Sequence, residues 1–468
     1  ASAAQSSSGS GTLHSLIATG AANAVAGLGY GAGSFTAGVC AAGGRGWNQP
    51  TSTGASDFTS QITQWSLDNF GEDVVANRRG SSIYFYDTDA SATPLRATLV
   101  SGATNSTPTT VNSIIVSPND RHLICLGSNA FNTTASPTGT FDPMTVRWSN
   151  QEDITNWVPS TSSTSGETVL TDGTKIVGGV RSRNAINIWT DNSLWTMQFV
   201  GPPFTFSIRQ VGSNCGAIGQ HAIKYVNGAV WWMAQSGGFF VYDGTVKSIP
   251  CLVEDFVFTT QTSDDLGFNF GQSEQVFAGY NTLFTEINWF YCKDGSTQID
   301  RCVTLNYREG LWTTSSLART AYSDKYVLDN PYATEYNATG LPSVSINGIT
   351  NEFGAATLYK HETGSNQLDV LGNKTAINAF IESGDFEMPM EGTAGEFFVK
   401  IRRFIPDFGK LDGNAQITIN LKDFPSETEA SSPLGPFTVT SSTKKVDTRA
   451  RGRLASLKIE NTSTDESW

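Results

Sequence analysis

The sequence predicts an all-β protein: a β-propeller-like body followed by a C-terminal antiparallel β-sheet or sandwich. Three observations predict it. Short runs of β-forming residues recur at roughly 10-residue spacing, divided by Gly- and Asn-containing turns. Charged residues make up only 16% of the 468-residue chain, well below the roughly 25% of an average soluble protein, and Gly, Ser, Thr and Asn take their place. Beyond residue 376 the runs lengthen and one of them, Gln416–Leu421, alternates with period two.

Residues 1–60 read as an extended Gly/Ala/Ser-rich arm. Up to residue 56 there is no acidic residue, and Arg45 is the one firmly charged side chain. The basic n-region and Leu-rich h-region of a signal peptide are missing. Such a segment cannot bury enough surface to fold alone, so it is either laid on a neighbouring subunit or a flexible linker. The start at Ala1 and the stop at Trp468 lead to the expectation of a processed or partly ordered chain.

Residues 61–318 carry the propeller-like pattern. Ser81–Asp87 and Arg121–Gly127 are apolar strands. Ala185–Trp189 and Leu194–Phe199 flank a polar turn and form a hairpin. Ala222–Val226, Ala229–Ala234 and Gly238–Tyr242 are separated by Asn227-Gly228 and Ser236-Gly237. Asn-Gly is the strongest short hairpin signal, because both central residues of a type I′ turn need positive φ. Asn288–Cys292 and Arg301–Asn306 make a further hairpin around Asp294-Gly295. Trp189, Trp195, Trp231, Trp232 and Trp289 are expected to pack between sheets. This repetition fits radial blades or a set of sandwiches. Residues 319–375 are an insertion or a last-blade region. In residues 376–468, strands are expected at Ala376–Phe386, Glu396–Phe404, Gln416–Leu421, Phe437–Thr440 and Arg453–Glu460.

Charge and motifs exclude several functions. No run of about 18 apolar residues could span a membrane as a helix. The net charge of −13 opposes tight grip on nucleic-acid phosphates, though not passage of DNA past a like-charged wall. The C-terminal 93 residues hold −3 of this charge and residues 1–375 hold −10. Cys40, Cys125, Cys215, Cys251, Cys292 and Cys302 show no C-x-x-C spacing and read as buried thiols, although Cys292 and Cys302 could face one another across a hairpin. His14, His122, His221 and His361 lack metal-ligand spacing. There is no nucleophile elbow and no Walker loop. Gly43–Gly46 follows no strand, which argues against a phosphate cradle. The adjacent acids Glu152-Asp153 and Asp264-Asp265 point to opposite faces of a strand, so they make poor acid/base pairs. The expectation is a chain without catalytic residues, metal or cofactor. Arg449, Arg451 and Arg453 alternate at period two and on a strand would form a positive ladder. That ladder suits an inter-subunit salt-bridged face or contact with phosphate.

Three stretches together resemble a known family. They are Trp65–Asp87, Val146–Pro159 and Val180–Gly212. Within them Asn69, Gly71, Glu72 and Asp73, then Arg147 and Trp148 with Trp157, then Trp195 and Gly201, follow the order seen in tail hub and nozzle proteins of short-tailed bacteriophages, of the tail tubular or packaged-DNA-stabilisation type. Val230–Asp243 resembles the next blade, and Arg449–Glu460 the closing strand. The resemblance covers about residues 62–315 and 376–468. It implies a virion tail protein, non-enzymatic and hexameric, in a ring through which double-stranded DNA is retained and ejected without specific binding. It also implies contacts with other tail proteins such as an adaptor or fibres, and with a host surface at a distal end. Hub and nozzle positions both remain open. The alternative is a β-propeller attachment protein that binds a receptor or glycan.

Overall fold

Each β-forming run pairs with its sequence neighbour, because the turns between them are only a few residues long. The computed structural model describes residues 64–89, 97–101, 106–132, 139–259, 267–337, 355–368, 372–387, 397–424, 427 and 433–468, together with two short strand pairs, Gln5–Ser6 with Leu13–His14 and Val344–Ile346 with Ile349–Asn351. The expected N-terminal arm lies, beyond the first of these pairs, outside the described residues, as do Gly43–Gly46 and Asp264-Asp265. The chain divides into two compact units, residues 1–359 and 360–468. The division falls inside the stretch 319–375.

The first unit contains five consecutive four-stranded antiparallel sheets, each an up-and-down meander. The first sheet is Trp65–Phe70, Asp73–Arg78, Ile83–Tyr86 and Thr98–Leu99. The second is Val111–Val116, Leu123–Asn129, Phe141–Trp148 and Gly166–Val169. The third is Ile176–Arg181, Ile186–Thr190, Ser193–Gly201 and Thr205–Ser213. The fourth is Ile223–Val226, Ala229–Met233, Phe239–Tyr242 and Val246–Ile249. The fifth is Phe277–Asn281, Glu286–Tyr291, Arg301–Asn306 and Leu311–Ser315. Turn chemistry sets the registers. At Asn227-Gly228 both residues have positive φ, 51° and 85°, as a type I′ turn requires, and Val226 pairs with Ala229 across it.

Alternation along each strand sends apolar side chains to both faces, where they meet the next sheet. One core joins the first and second sheets through Val75, Ile83, Val111 and Leu123. Another joins the second and third through Ile124, Val146, Ile176 and Ile188. A third joins the third and fourth, with Trp189 edge-on to Trp232 at 5.2 Å between ring centres. The last joins the fourth and fifth, where Phe239 lies 4.8 Å from Trp289 and 4.5 Å from Trp312. Trp189, Trp232 and Trp289 are fully buried, in the inter-sheet role expected of them. Each sheet packed face to face on its sequence neighbour is propeller-like packing. A smaller three-stranded sheet, Ala321–Ser323, Tyr332–Asn337 and Ala355–Lys360, follows the fifth sheet. Tyr322 packs on Phe290, and a Cβ at Gly279 would strike the Tyr322 ring at 2.7 Å, so close approach requires glycine there.

The second unit is a sandwich. A four-stranded sheet runs in the order Phe380–Glu382, Leu454–Glu460, Asn414–Lys422, Leu434–Thr440. A two-stranded ribbon pairs Val399–Phe404 with Val446–Gly452. Ile419, Leu421 and Ala455 of the sheet share a core with Ile401, Phe404 and Ala450 of the ribbon. Asn414–Lys422 alternates half-buried and buried along its length, as its period-two sequence predicts. Two expectations change. Ala376–Phe386 is not one strand: Ala376 ends the short strand Lys374–Ala376 that pairs with Asn366–Leu368, Phe380–Glu382 pairs with Leu454–Glu460, and Phe386 forms a single bridge to Ala455. Cys302 lies opposite Phe290, not Cys292, and both thiols are free and buried.

Candidate functional site

The residues that carry the family resemblance are placed first. Asn69 to Asp73 form the hairpin between the first two strands, with Phe70 paired to Asp73 and Gly71 at φ 76°. The Asp73 carboxylate accepts the Thr88 amide at 2.9 Å and its hydroxyl at 3.1 Å, which ties the hairpin to the far end of the third strand. Glu72 is exposed.

Arg147 sits in the second sheet with 1% side-chain exposure. Its guanidinium donates to the carbonyls of Asn129 at 3.1 Å, Ser106 at 3.0 Å and Trp157 at 3.3 Å, and lies 5.8 Å over the Trp157 ring. Burial pulls its pKa down, while neighbouring Cys125 and Glu167 oppose that. Arg is suited to this place because its planar fork of five donors can reach three backbone acceptors at once. Trp157 donates to the Ile154 carbonyl at 2.7 Å and Trp148 to the Thr164 carbonyl at 2.8 Å. In the third sheet Trp195 donates to the Ser193 hydroxyl at 2.8 Å, and Gly201, at φ 79°, turns the chain into the last strand. Thus these motif residues serve as turns and internal braces, one group to each of three successive sheets.

A buried acid–imidazole–hydroxyl chain escaped the sequence reading, because its members are up to 47 residues apart. Asp120 bonds His122 Nδ1 and the Ser117 hydroxyl, and His122 Nε2 lies 2.9 Å from the Thr164 hydroxyl. That hydroxyl also meets Asn150 Oδ1 and the Gln151 amide, each at 2.9 Å. His122 has no exposed surface and is walled by Phe199 and Phe206. With both ring nitrogens engaged and the ring sealed, the group clamps the loops that carry Ser117, Asp120 and Thr164 together. The short Asp-x-His spacing was its one sequence signal.

At the centre of the first unit, where the first strands of the sheets adjoin one another, charged side chains bridge sheets that are not sequence neighbours. Asp68 of the first sheet pairs with Arg181 of the third at 2.8 Å. Glu274, just before the fifth sheet, pairs with Arg79 at 3.0 Å and with Lys175 at 3.4 Å. Gln220 donates to the Ser66 hydroxyl at 2.8 Å. Lys224, half-buried on the fourth sheet, has its pKa lowered by burial against the opposing pull of Asp324.

The Arg ladder is shorter than its sequence suggests. Arg449 and Arg451 are exposed on the strand Val446–Gly452, whereas Arg453 lies beyond it, half-buried, its amide bonded to the Lys422 carbonyl at 3.0 Å. The strand ends at Gly452 because the chain turns there into Leu454–Glu460, and that turn removes Arg453 from the row. Among the described residues no group of three or more His, Cys, Asp or Glu side chains could hold a metal ion.

No protein-family model matches the chain, and no curated protein matches it. Among solved structures it is similar to Hsv2 of Kluyvelomyces marxianus, at 9% identity over 62% of this chain and 78% of that one, with a TM-score of 0.32. It is similar to apo AztD of Citrobacter koseri, at 10% identity over 58% and 65%, with a TM-score of 0.33. A Synechocystis apocarotenoid oxygenase mutant matches at 10% identity over 61% and 69%, with a TM-score of 0.29.

Proposed function

We propose that the chain is a structural subunit of a short-tailed bacteriophage tail, at the hub or nozzle, which assembles as a closed ring around the path of the genome. The observation that supports this reading is the placement of its motifs. The stretches beginning at Trp65, Val146, Val180 and Val230 fall on the first, second, third and fourth sheets in turn, so their order along the chain is the order of one repeated structural unit. The distinctive polar residue of the second stretch, Arg147, points inward as a brace. What the fold offers outward is surface, including exposed apolar side chains such as Leu67, Phe204 and Leu252. A ring of head-to-tail copies is a heterologous interface that closes on itself. The acid excess suits a wall that repels phosphate and lets DNA slide.

The test is the mass of the purified protein in solution, followed by negative-stain class averages. The expected result is a six-fold ring with a central hole, at six times the 50.2 kDa of one chain. A chain that stays monomeric at every concentration and binds an immobilised glycan would replace this reading with that of an attachment module.

A further inference from the structure

The outer face of the ribbon in the second unit breaks a rule that sheets ordinarily obey. Lys400 stands directly opposite Arg451 across the antiparallel pair, and like charges in that position destabilise a sheet. Arg402 and Arg449 are exposed on the same two strands. Residues two apart on a regular strand share a face and stand roughly 6.7 Å apart, so Lys400, Arg449 and Arg451 crowd one small surface, with exposed Arg402 beside them at the register shift between Ile401 and Arg403. Among the described residues none of the four has a carboxylate within ion-pair distance. The acid on these strands, Asp447, is already held by Arg403 and Lys445, each at 3.3 Å.

The cations are not needed to seat the ribbon. Its inner side is Val399, Thr448 and Ala450, all buried against the sandwich core. The Arg451 guanidinium lies 4.6 Å over the Phe398 ring, and Phe398 and Phe397 are 55% and 44% exposed beside it. An uncompensated local conflict that the fold does not require marks a functional surface.

We infer that this face binds the phosphate backbone of nucleic acid without reading its sequence. A patch whose one acid on these strands, Asp447, is already paired with two cations matches a uniformly anionic polymer better than a protein surface, where signs are mixed. Three of the four cations are Arg, whose planar fork takes phosphate in two parallel bonds. The exposed aromatic rings add a stacking platform of the kind that single strands use. The chain's net charge of −13 does not decide the matter. At physiological salt, charges farther away than the Debye length of about 8 Å are largely screened, and the ribbon's own acid is neutralised by two cations. The inference rests on this face alone and does not depend on ring assembly.

The experiment is an anisotropy titration of a fluorescein-labelled, mixed-sequence oligodeoxynucleotide with the full chain, at several salt concentrations. Four phosphate contacts at about −0.7 to −0.9 each give a log–log salt slope of about −3, or close to a hundredfold loss of affinity between 50 and 200 mM salt. The double variant R449Q/R451Q is expected to lower affinity at 50 mM salt by tenfold or more and to reduce the slope by about half. R449K/R451K, which keeps the charge, is expected to retain most of the binding. Both variants should melt with the parent protein, because the replaced side chains are exposed. Absence of binding at 50 mM salt would overturn the inference. So would equal binding by R449Q/R451Q, or competition by polyglutamate as effective as that by unlabelled oligonucleotide, which would assign the face to a carboxylate-bearing protein.

Discussion

Replacing Arg147 by methionine probes the brace at the centre of the second sheet. The side chain is 1% exposed and supplies hydrogen bonds to three carbonyls, from Asn129, Ser106 and Trp157. A hydrogen bond from a charged donor contributes roughly 1.5–3 kcal/mol, and a buried acceptor left without its partner costs about 1–3 kcal/mol. The three contributions are not additive, and removing a buried charge returns part of its desolvation cost. A net loss of about 3–5 kcal/mol follows, a large share of the stability of an ordinary domain. Urea unfolding followed by tryptophan fluorescence suits the measurement, because ten of the eleven tryptophans precede residue 360 and report on the first unit. R147K is expected to recover only part of the loss, since an ammonium on a flexible stem cannot fork to three acceptors. A loss below about 1 kcal/mol for R147M would show that water or backbone relaxation satisfies the carbonyls, and that the motif is not held by this brace.

Two further outcomes follow from packing. A Cβ at Gly216 would overlap the Asp191 carbonyl, a backbone group that cannot swing aside. Gly216→Ala is therefore expected to destabilise the first unit by about 2 kcal/mol or more, read as a lower urea midpoint. Burial pushes the thiols up, Cys251 to about 11 and Cys292 and Cys302 to about 12. The thiolate is the reactive form. Iodoacetamide at pH 8 should thus spare Cys125, Cys215, Cys292 and Cys302 in the folded protein and modify half-buried Cys251 first, as mapped by peptide mass spectrometry. Equal labelling of all five would contradict the burial described.

Local signals in the sequence were legible where they are local in the structure. The pair Asn227-Gly228 announced its hairpin, and the polar run around Asp191 announced the turn that pairs Ile186 with Met197. Sheets made of consecutive strands follow directly from such turns. Edge strands such as Gly166–Val169, with mixed polar composition, carry too little apolar pattern to be read in advance. The Arg ladder was half legible. Its period showed in Arg449 and Arg451, but the turn after Gly452 and the facing strand with Lys400 depend on a pairing between segments about fifty residues apart. The braces were legible as a motif and not as a mechanism. Nothing in the spelling of Arg147 names the three carbonyls that it meets. The clamp of Asp120, His122 and Thr164 and the ion pairs of Glu274 join distant segments, and no local period encodes them.

Those ion pairs bear on how the molecule is made. Each four-stranded sheet of the first unit is built from consecutive strands over a short span of chain, and can form as it leaves the ribosome. Gln64 and Arg79, by contrast, wait for Glu274, about two hundred residues later. Contacts of such long range are slow to form, because the intervening chain must be brought together first. During synthesis Gln64 and Arg79 therefore stand without this partner until the segment before the fifth sheet emerges. The making of these long-range contacts, not the formation of any one sheet, would set the pace of maturation.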